Sequence, residues 1–260
     1  MFKPNNFFMK TTLYALIILV GFMGALVSCS ENDAPTAANV KLEMKATTSL
    51  SKINGSGRSM ASGLVFHEVL LGVTELEFET QEEDQSEEDH DAEDGEDHDG
   101  EDENEEIEFE GHFVVDLIQG TSTPDFGVAD ILPGLYEEIE IELGPVLEHG
   151  NSIFIAFELP REGQDTLKIE YLNSGEFEIE IEREAGFQLD GGVLNQMLVL
   201  FDLDSLFAGI DFNQAIVDAD GVIRINETSN AALASLIEAN LGNVFEAGDD
   251  EDGDDEIDED

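Results

Sequence analysis

The chain has 260 residues and sets 62 Asp and Glu against 10 Lys and Arg, a formal charge of −52. That balance repels phosphate-rich partners and excludes nucleic acid and anionic membrane surfaces as ligands. One cysteine excludes an internal disulfide framework or a cysteine-based zinc site, while 41% hydrophobic residues is too many for a wholly disordered acidic chain.

Residues 1–28 have the order of a lipoprotein signal peptide. Lys3 and Lys10 supply positive charge, Leu13 to Ala25 an apolar run, and Leu26-Val27-Ser28 lead into Cys29. The run is short for a membrane span of about 20 residues. Small residues before a sole cysteine resemble the bacterial lipobox. The resemblance implies that Cys29 is acylated, with palmitate among its chains, and becomes the mature N-terminus in the cell envelope. Ser30 implies the outer membrane, with the lipid bilayer as partner. Two or three acyl chains, at about 0.8 kcal/mol per buried CH₂, make a lasting anchor. Residues 29–38 read as a flexible tether to the folded part.

From residue 39 to 246 the period is two. Val40, Leu42, Met44 and Ala46 alternate with polar neighbours, as do Leu76 and Phe78, Ile107 and Phe109, and Phe113, Val115 and Leu117. The pattern continues through Ile139, Ile141 and Leu143, then Ile153 to Leu159, Leu167 to Tyr171, and Phe177, Ile179 and Ile181. Such alternation marks half-buried antiparallel strands. Met197 to Leu203 is apolar almost throughout and reads as a central strand. Turn residues separate the runs at Pro133-Gly134, Gly144-Pro145, Asn173-Ser174-Gly175 and Asp190-Gly191-Gly192. The expected fold is mainly β, an antiparallel β-sandwich. Leu233, Leu236, Ile237 and Leu241 add one C-terminal amphipathic helix, capped by Thr228, Ser229 or Asn230 and closed by Gly242.

Two segments break the pattern. Residues 81–106 hold 17 acids, and residues 249–260 hold 10. Neither can bury enough apolar area to offset backbone entropy. Residues 81–106 are therefore expected as a disordered hairpin insert and 247–260 as a disordered acidic tail.

With the strands placed, Gly72-Val-Thr-Glu-Leu-Glu-Phe78, Phe113-Val-Val-Asp-Leu117, Leu132-Pro-Gly-Leu-Tyr136 and Ile139-Glu-Ile141 resemble a bacterial lipoprotein domain of unknown function, number 4382. That family implies a carbohydrate-binding-like, transthyretin-like sandwich over residues 64–159. The same pieces, with Ile237-Glu-Ala-Asn240 and Phe245, are similar to the copper-binding lipoprotein domain found near methanobactin genes. A tryptophan belongs to that family's copper site, and this chain has none, which counts against copper.

Catalytic patterns fail residue by residue. His67-Glu68 opens a metalloprotease-like pattern, but Leu71 stands where the second histidine is required. Gly57-Arg58-Ser59 lacks the closing glycine of a nucleophile elbow. Acids alternate outward on strands, and no tryptophan offers a sugar-stacking surface. His67 and His112 fall within strand patterns as surface histidines. The chain is therefore not expected to be an enzyme, and no catalytic residue is assigned.

Metal chemistry has two candidates. Asp89-His90-Asp91 and Asp97-His98-Asp99 repeat a triplet within the acidic insert, and their carboxylates and imidazoles suit Ca²⁺ or other divalent cations, held weakly by a flexible loop. Asp218, Asp220 and Glu227 match positions 3, 5 and 12 of an EF-hand loop whose first position would be Ile216. The alternative for Asp220-Gly221 is a tight turn into a strand. The leading expectation is a non-catalytic binding or adhesion module for a glycan or protein. The alternatives are a low-affinity cation buffer working through the insert and an envelope hydrolase. Substituting Cys29→Ala should move the protein from the membrane to the soluble fraction and abolish labelled fatty-acid uptake.

Overall fold

In β1 (Ala38–Thr47), every second residue from Ala38 to Ala46 is buried and those between are half-exposed, as a strand with one wet face requires. The structure is a computed structural model describing residues 36–48, 63–80 and 107–258, with backbone alone at 58–59 and 107–108. Among these residues fourteen strands form two sheets, one of four strands and one of ten. Buried side chains from both belong to one hydrophobic cluster, and the mainly β, sandwich-like expectation holds.

The smaller sheet has the order β14 (Phe245–Asp249), β12 (Leu194–Asp202), β1, β7 (Ala129–Ile131). β12 is central, as its apolar run predicts. Its pairing with β1 is parallel, from Asn39↔Leu194 to Thr47↔Asp202. A second parallel pair joins β10 (Leu167–Asn173) to β13 (Val222–Ile225). An all-antiparallel reading misses both pairs, because alternation reports which face is buried and not which neighbour pairs.

The larger sheet is organised by β3 (Val65–Glu79). One edge carries β2 (Arg58–Ser59), β5 (Phe113–Asp116) and β4 (Ile107–Glu108) in succession. The other carries β9 (Ile153–Leu159) beside Val65 to Leu71 and β8 (Gly134–Leu143) beside Val73 to Glu79. β11 (Phe177–Leu189) extends the sheet beyond β8, β10 and β13 extend it beyond β9, and β6 (Thr121–Thr123) pairs β5. The partner changes at Gly72, whose N–H donates to Ser152 O at 2.7 Å and whose carbonyl accepts from Gly144 N–H at 2.9 Å. A Cβ on Gly72 would lie 2.5 Å from the Gly144 oxygen, so only glycine fits.

Register shifts at Phe66/Glu68 and Val73/Glu75 flip the strand's phase twice. The buried set therefore runs Phe66, then Val69, Leu71 and Val73, then Leu76 and Phe78. At one end of the core Phe66, Phe157, Phe207 and Phe212 pack with ring centroids 4.8–5.9 Å apart. This joins β3 and β9 to α1 (Leu203–Leu206) and the turn after it.

The amphipathic helix is α2 (Ala231–Glu238), preceded by Asn230 and packed beside β13, the last strand of its sheet. It is shorter than expected: Ala239 closes it, and Leu241 lies in a separate 3₁₀ turn, Leu241–Asn243. Gly242 is therefore not its stop. Leu236 does not belong to the buried face, being 53% exposed, whereas Ile237 is fully buried. The tail boundary also moves. Residues 247–249, expected in a disordered tail, complete β14, which pairs β12 from Phe201↔Phe245 to Met197↔Asp249.

Truncating a buried aliphatic side chain costs about 2–5 kcal/mol, and an exposed one usually within about 0.5. Ile237→Ala should lower the melting temperature by several degrees and Leu236→Ala should leave it nearly unchanged. Parallel thermal melts check both.

Candidate metal centre

Two groups of carboxylates stand out, and the first is a sheet face. Where β3, β8 and β11 run side by side, at residues 75–79, 138–142 and 178–182, the outward positions are glutamate, and the registers align them in three rows. These are Glu79–Glu138–Glu182, Glu77–Glu140–Glu180 and Glu75–Glu142–Glu178. Behind them Phe78, Ile139, Ile181, Leu76, Ile141 and Ile179 are buried. Carboxylate oxygens of Glu77, Glu79 and Glu140 lie within 4.8 Å of one another. The middle strand shows the strain: the Glu138 and Glu140 carboxyls are pushed above the ordinary range, first by burial, then by Glu180 and Glu178 respectively, and by Glu79.

The second group is the loop after β14. The Asp250 N–H donates to Gln196 O at 3.1 Å, continuing the β14–β12 ladder, and Asp250 is only 7% exposed. From there the chain turns back on itself. The Asp250 carboxylate accepts from Asp254 N–H at 3.1 Å, that of Asp252 from the same N–H at 3.2 Å, and that of Asp254 from Glu256 N–H at 3.0 Å. Asp258 closes the loop at both ends. Its carboxylate accepts from Glu251 N–H at 2.8 Å, and its own N–H donates to Asp249 O at 2.8 Å.

Gly253 and Asp255 take positive φ, 71° and 67°. Ile257 seats over Gly248, where any Cβ would lie 2.3 Å from its Cγ2. Leu198, turned to the outer face between Met197 and Val199, is nonetheless buried, opposite Gly248 in the register. The loop thus covers an apolar patch. Lys45, also paired to Glu43 at 2.9 Å, holds the Asp255 carboxylate from β1.

The carboxylate oxygens of Asp250, Asp252 and Asp254 converge within 4.8 Å. Their repulsion raises the Asp252 carboxyl, with Asp254 the largest cause. Spacing 1, 3, 5, a left-handed residue at 6, a carbonyl at 7 from Glu256, an aliphatic residue at 8 and Asp258 at 9 follow the EF-hand loop template. Positions 10 and 11 are Glu259 and Asp260, which lie outside the described residues, and position 12 would fall past Asp260.

The sites anticipated from sequence fare differently. Asp218 and Asp220 are drawn onto Arg224, whose Nη1 and Nη2 each lie 2.9 Å from one carboxylate, while its Nε reaches Glu170 at 3.1 Å. The Arg224 hydrogen bond pulls the Asp220 carboxyl down. Asp220-Gly221 forms the tight turn into β13, with Gly221 N–H donating to Asp218 O at 3.0 Å, and Glu227 is exposed on the far side of the strand. The structure does not bring these three carboxylates to one point. Asp89, His90, Asp91, Asp97, His98, Asp99 and Cys29 lie outside the described residues. The insert's roots pair as a hairpin, Glu77↔Glu108 and Phe78↔Ile107, beside the glutamate face. His67 is exposed, with Nε2 3.6 Å from Glu158, and His112 is exposed.

No family model and no curated protein matches the chain. Among solved structures it is similar to MbnP from Methylosinus trichosporium, at 13% identity and a TM-score of 0.39, covering 83% of this chain and 99% of that one. At that distance the ligand chemistry has to be read from this chain alone.

The composition of residues 249–260, 10 acids in 12, hides this loop. Asp250-x-Asp252-Gly253-Asp254, with Ile257 and Asp258 at positions 8 and 9, carries the signal in its spacing.

The sheet face yields a pH prediction. A carboxyl whose folded pKa is raised subtracts stability above that pKa and stops doing so as pH falls through it. Glu43, lowered by hydrogen bonds from Lys41 and then Lys45, acts oppositely, contributing stability that is lost as pH falls. Glu138→Gln with Glu140→Gln should therefore raise stability at neutral pH, by about 0.2–1 kcal/mol per relieved pair. The gain should shrink as pH falls toward about 4.3, the ordinary glutamate value. Melts across pH check the sign.

Proposed function

We propose that this protein is a non-catalytic binding protein of the cell envelope, lipid-anchored through Cys29, that takes calcium in the loop Asp250–Asp258. The observation that carries this reading is the convergence of Asp250, Asp252 and Asp254 on a backbone already turned for a cation. All donors are oxygens, which favours a hard ion over Cu²⁺ or Zn²⁺. A divalent ion would relieve the repulsion that raises the Asp252 carboxyl. It would also tie β14 to the turn that covers Leu198.

The glutamate face and the acidic insert beside it supply a more diffuse attraction. A sheet face sets the Cβ atoms of opposite residues about 4.5–5.5 Å apart and turns its carbonyl oxygens to neighbouring strands, not toward an ion above the face. Binding there is weak and exchangeable, and the loop is the specific site. A glycan or protein ligand finds less support. The cleft lined by Lys41, Thr121, Ser122, Asp125 and Phe126 has a volume of about 210 Å³, below the roughly 300–1,000 Å³ usual for small-molecule sites. Phe126 is already engaged there with Phe109 and Phe113.

Calorimetric titration with Ca²⁺ at physiological ionic strength should show one saturable site above a weak background. At a calcium concentration 100 times Kd the melting transition should gain about 2.7 kcal/mol of stability. Asp250→Asn with Asp252→Asn should abolish the saturable phase and leave the background. Deleting residues 81–106 should lower the background and keep the saturable phase. Equal uptake by the native and doubly substituted proteins would overturn the assignment.

A further inference from the structure

The described chain enters the folded body at Thr36, and exposed aliphatic side chains lie around that point. The Thr36 carbonyl oxygen and Pro133 crowd Gly191, where a Cβ would lie 2.5 Å from the first and 3.3 Å from the second. Ala37 O accepts from Gly192 N–H at 2.9 Å, and Asn39 N–H donates to Val193 O at 3.2 Å. The β7–β8 turn, the β11–β12 turn and the start of β1 therefore meet at one end of the sandwich. There Leu132, Leu135, Val193 and Leu194 stand 45–52% exposed. Leu135 lies over Gly186, where a Cβ would approach its Cδ1 to 2.7 Å, so the backbone beneath it is fixed.

Among the described residues Val128, Ile216, Val217 and Leu236 are exposed elsewhere, but the turns that meet at this end bring four large aliphatic side chains into one neighbourhood, which makes it a candidate contact surface. Their position relative to the anchor decides what covers them. From Cys29 to Thr36 the chain has seven steps, a reach of at most about 25 Å. An acylated Cys29 would keep this end of the body within that distance of a bilayer. Asp130 and Asp190 are exposed at the same end, so a zwitterionic surface suits it and an anionic one does not.

We infer that Leu132, Leu135, Val193 and Leu194 form a membrane-resting pole that seats in the zwitterionic lipid interface beside the Cys29 anchor. This rests on the lipid-anchor reading and adds to it a fixed orientation of the body. With this pole down, the outer faces of the sheets stand along the bilayer normal instead of lying on the lipid.

The chain lacks tryptophan, so an introduced one reports its own surroundings. Full-length Leu135→Trp, Val193→Trp and, as a distant control, Leu236→Trp would be reconstituted in phosphatidylcholine vesicles containing brominated lipid. The expected result is a blue shift and loss of emission for Trp at 135 and 193, with neither at 236. Replacing part of the lipid by phosphatidylglycerol should reduce the quenching.

The same chains carrying Cys29→Ala separate the two readings. Anchored protein with unquenched tryptophan at 135 and 193, or equal quenching at all three sites, overturns the pole while keeping the anchor. Retention and quenching that survive Cys29→Ala support the pole and overturn the anchor's necessity. Failure of every chain to associate with vesicles overturns both.

Discussion

A single strand is shared by most of the structure. β3 supplies both edges to which β2, β4, β5, β8 and β9 pair. It manages this because Gly72 lets the β8–β9 connection leave and return without a gap in hydrogen bonding. A methyl group there would meet the Gly144 carbonyl and the Val146 side chain at once, with no flexible neighbour to yield. Placement of the glutamate face follows from this strand. Its last third brings Glu75, Glu77 and Glu79 into register with β8, and β8 passes the same register to β11.

That face shows how an acidic chain keeps a fold at all. Each like-charge cross-strand pair opposes folding by up to about 1 kcal/mol. Fully burying an isoleucine or phenylalanine favours it by about 1.5–3 kcal/mol. Every outward glutamate on these strands alternates with an apolar residue facing the core, so the favourable contribution is the larger in each row. The loop after β14 solves the same problem differently, fixing its carboxylates against main-chain N–H groups and over Ile257 and Gly248.

The face of each regular strand was legible in the sequence wherever alternation ran unbroken, as in β1, β8 and β9. It was hidden in β3 before Leu76, where two register shifts move the buried set from Phe66 to Val69 and then from Val73 to Leu76. Partner choice was not legible at all, because Val40 and Met44 alternate identically whether β12 runs parallel or antiparallel beside them. The helix was found, but not which of its leucines are buried, since Leu236 and Ile237 differ only by a rotation about the axis. The loop after β14 is hidden for a different reason. Acidic density argues for disorder when residues are only counted, whereas Gly253, Ile257 and the spacing of three aspartates argue for a turn.

The parallel pairing of β1 and β12 has a mechanical consequence. The chain enters the body through β1, so a pull on the segment before Thr36 acts along the strand axis. The nine registered pairs from Asn39↔Leu194 to Thr47↔Asp202 then take the load together, in shear, instead of parting one at a time as a peeled hairpin does. Lys45, clasping Asp255 across the outer face, adds a transverse strap near the far end of that seam. Resistance to force therefore lies where a drag on the body, transmitted through an N-terminal tether, would be felt first.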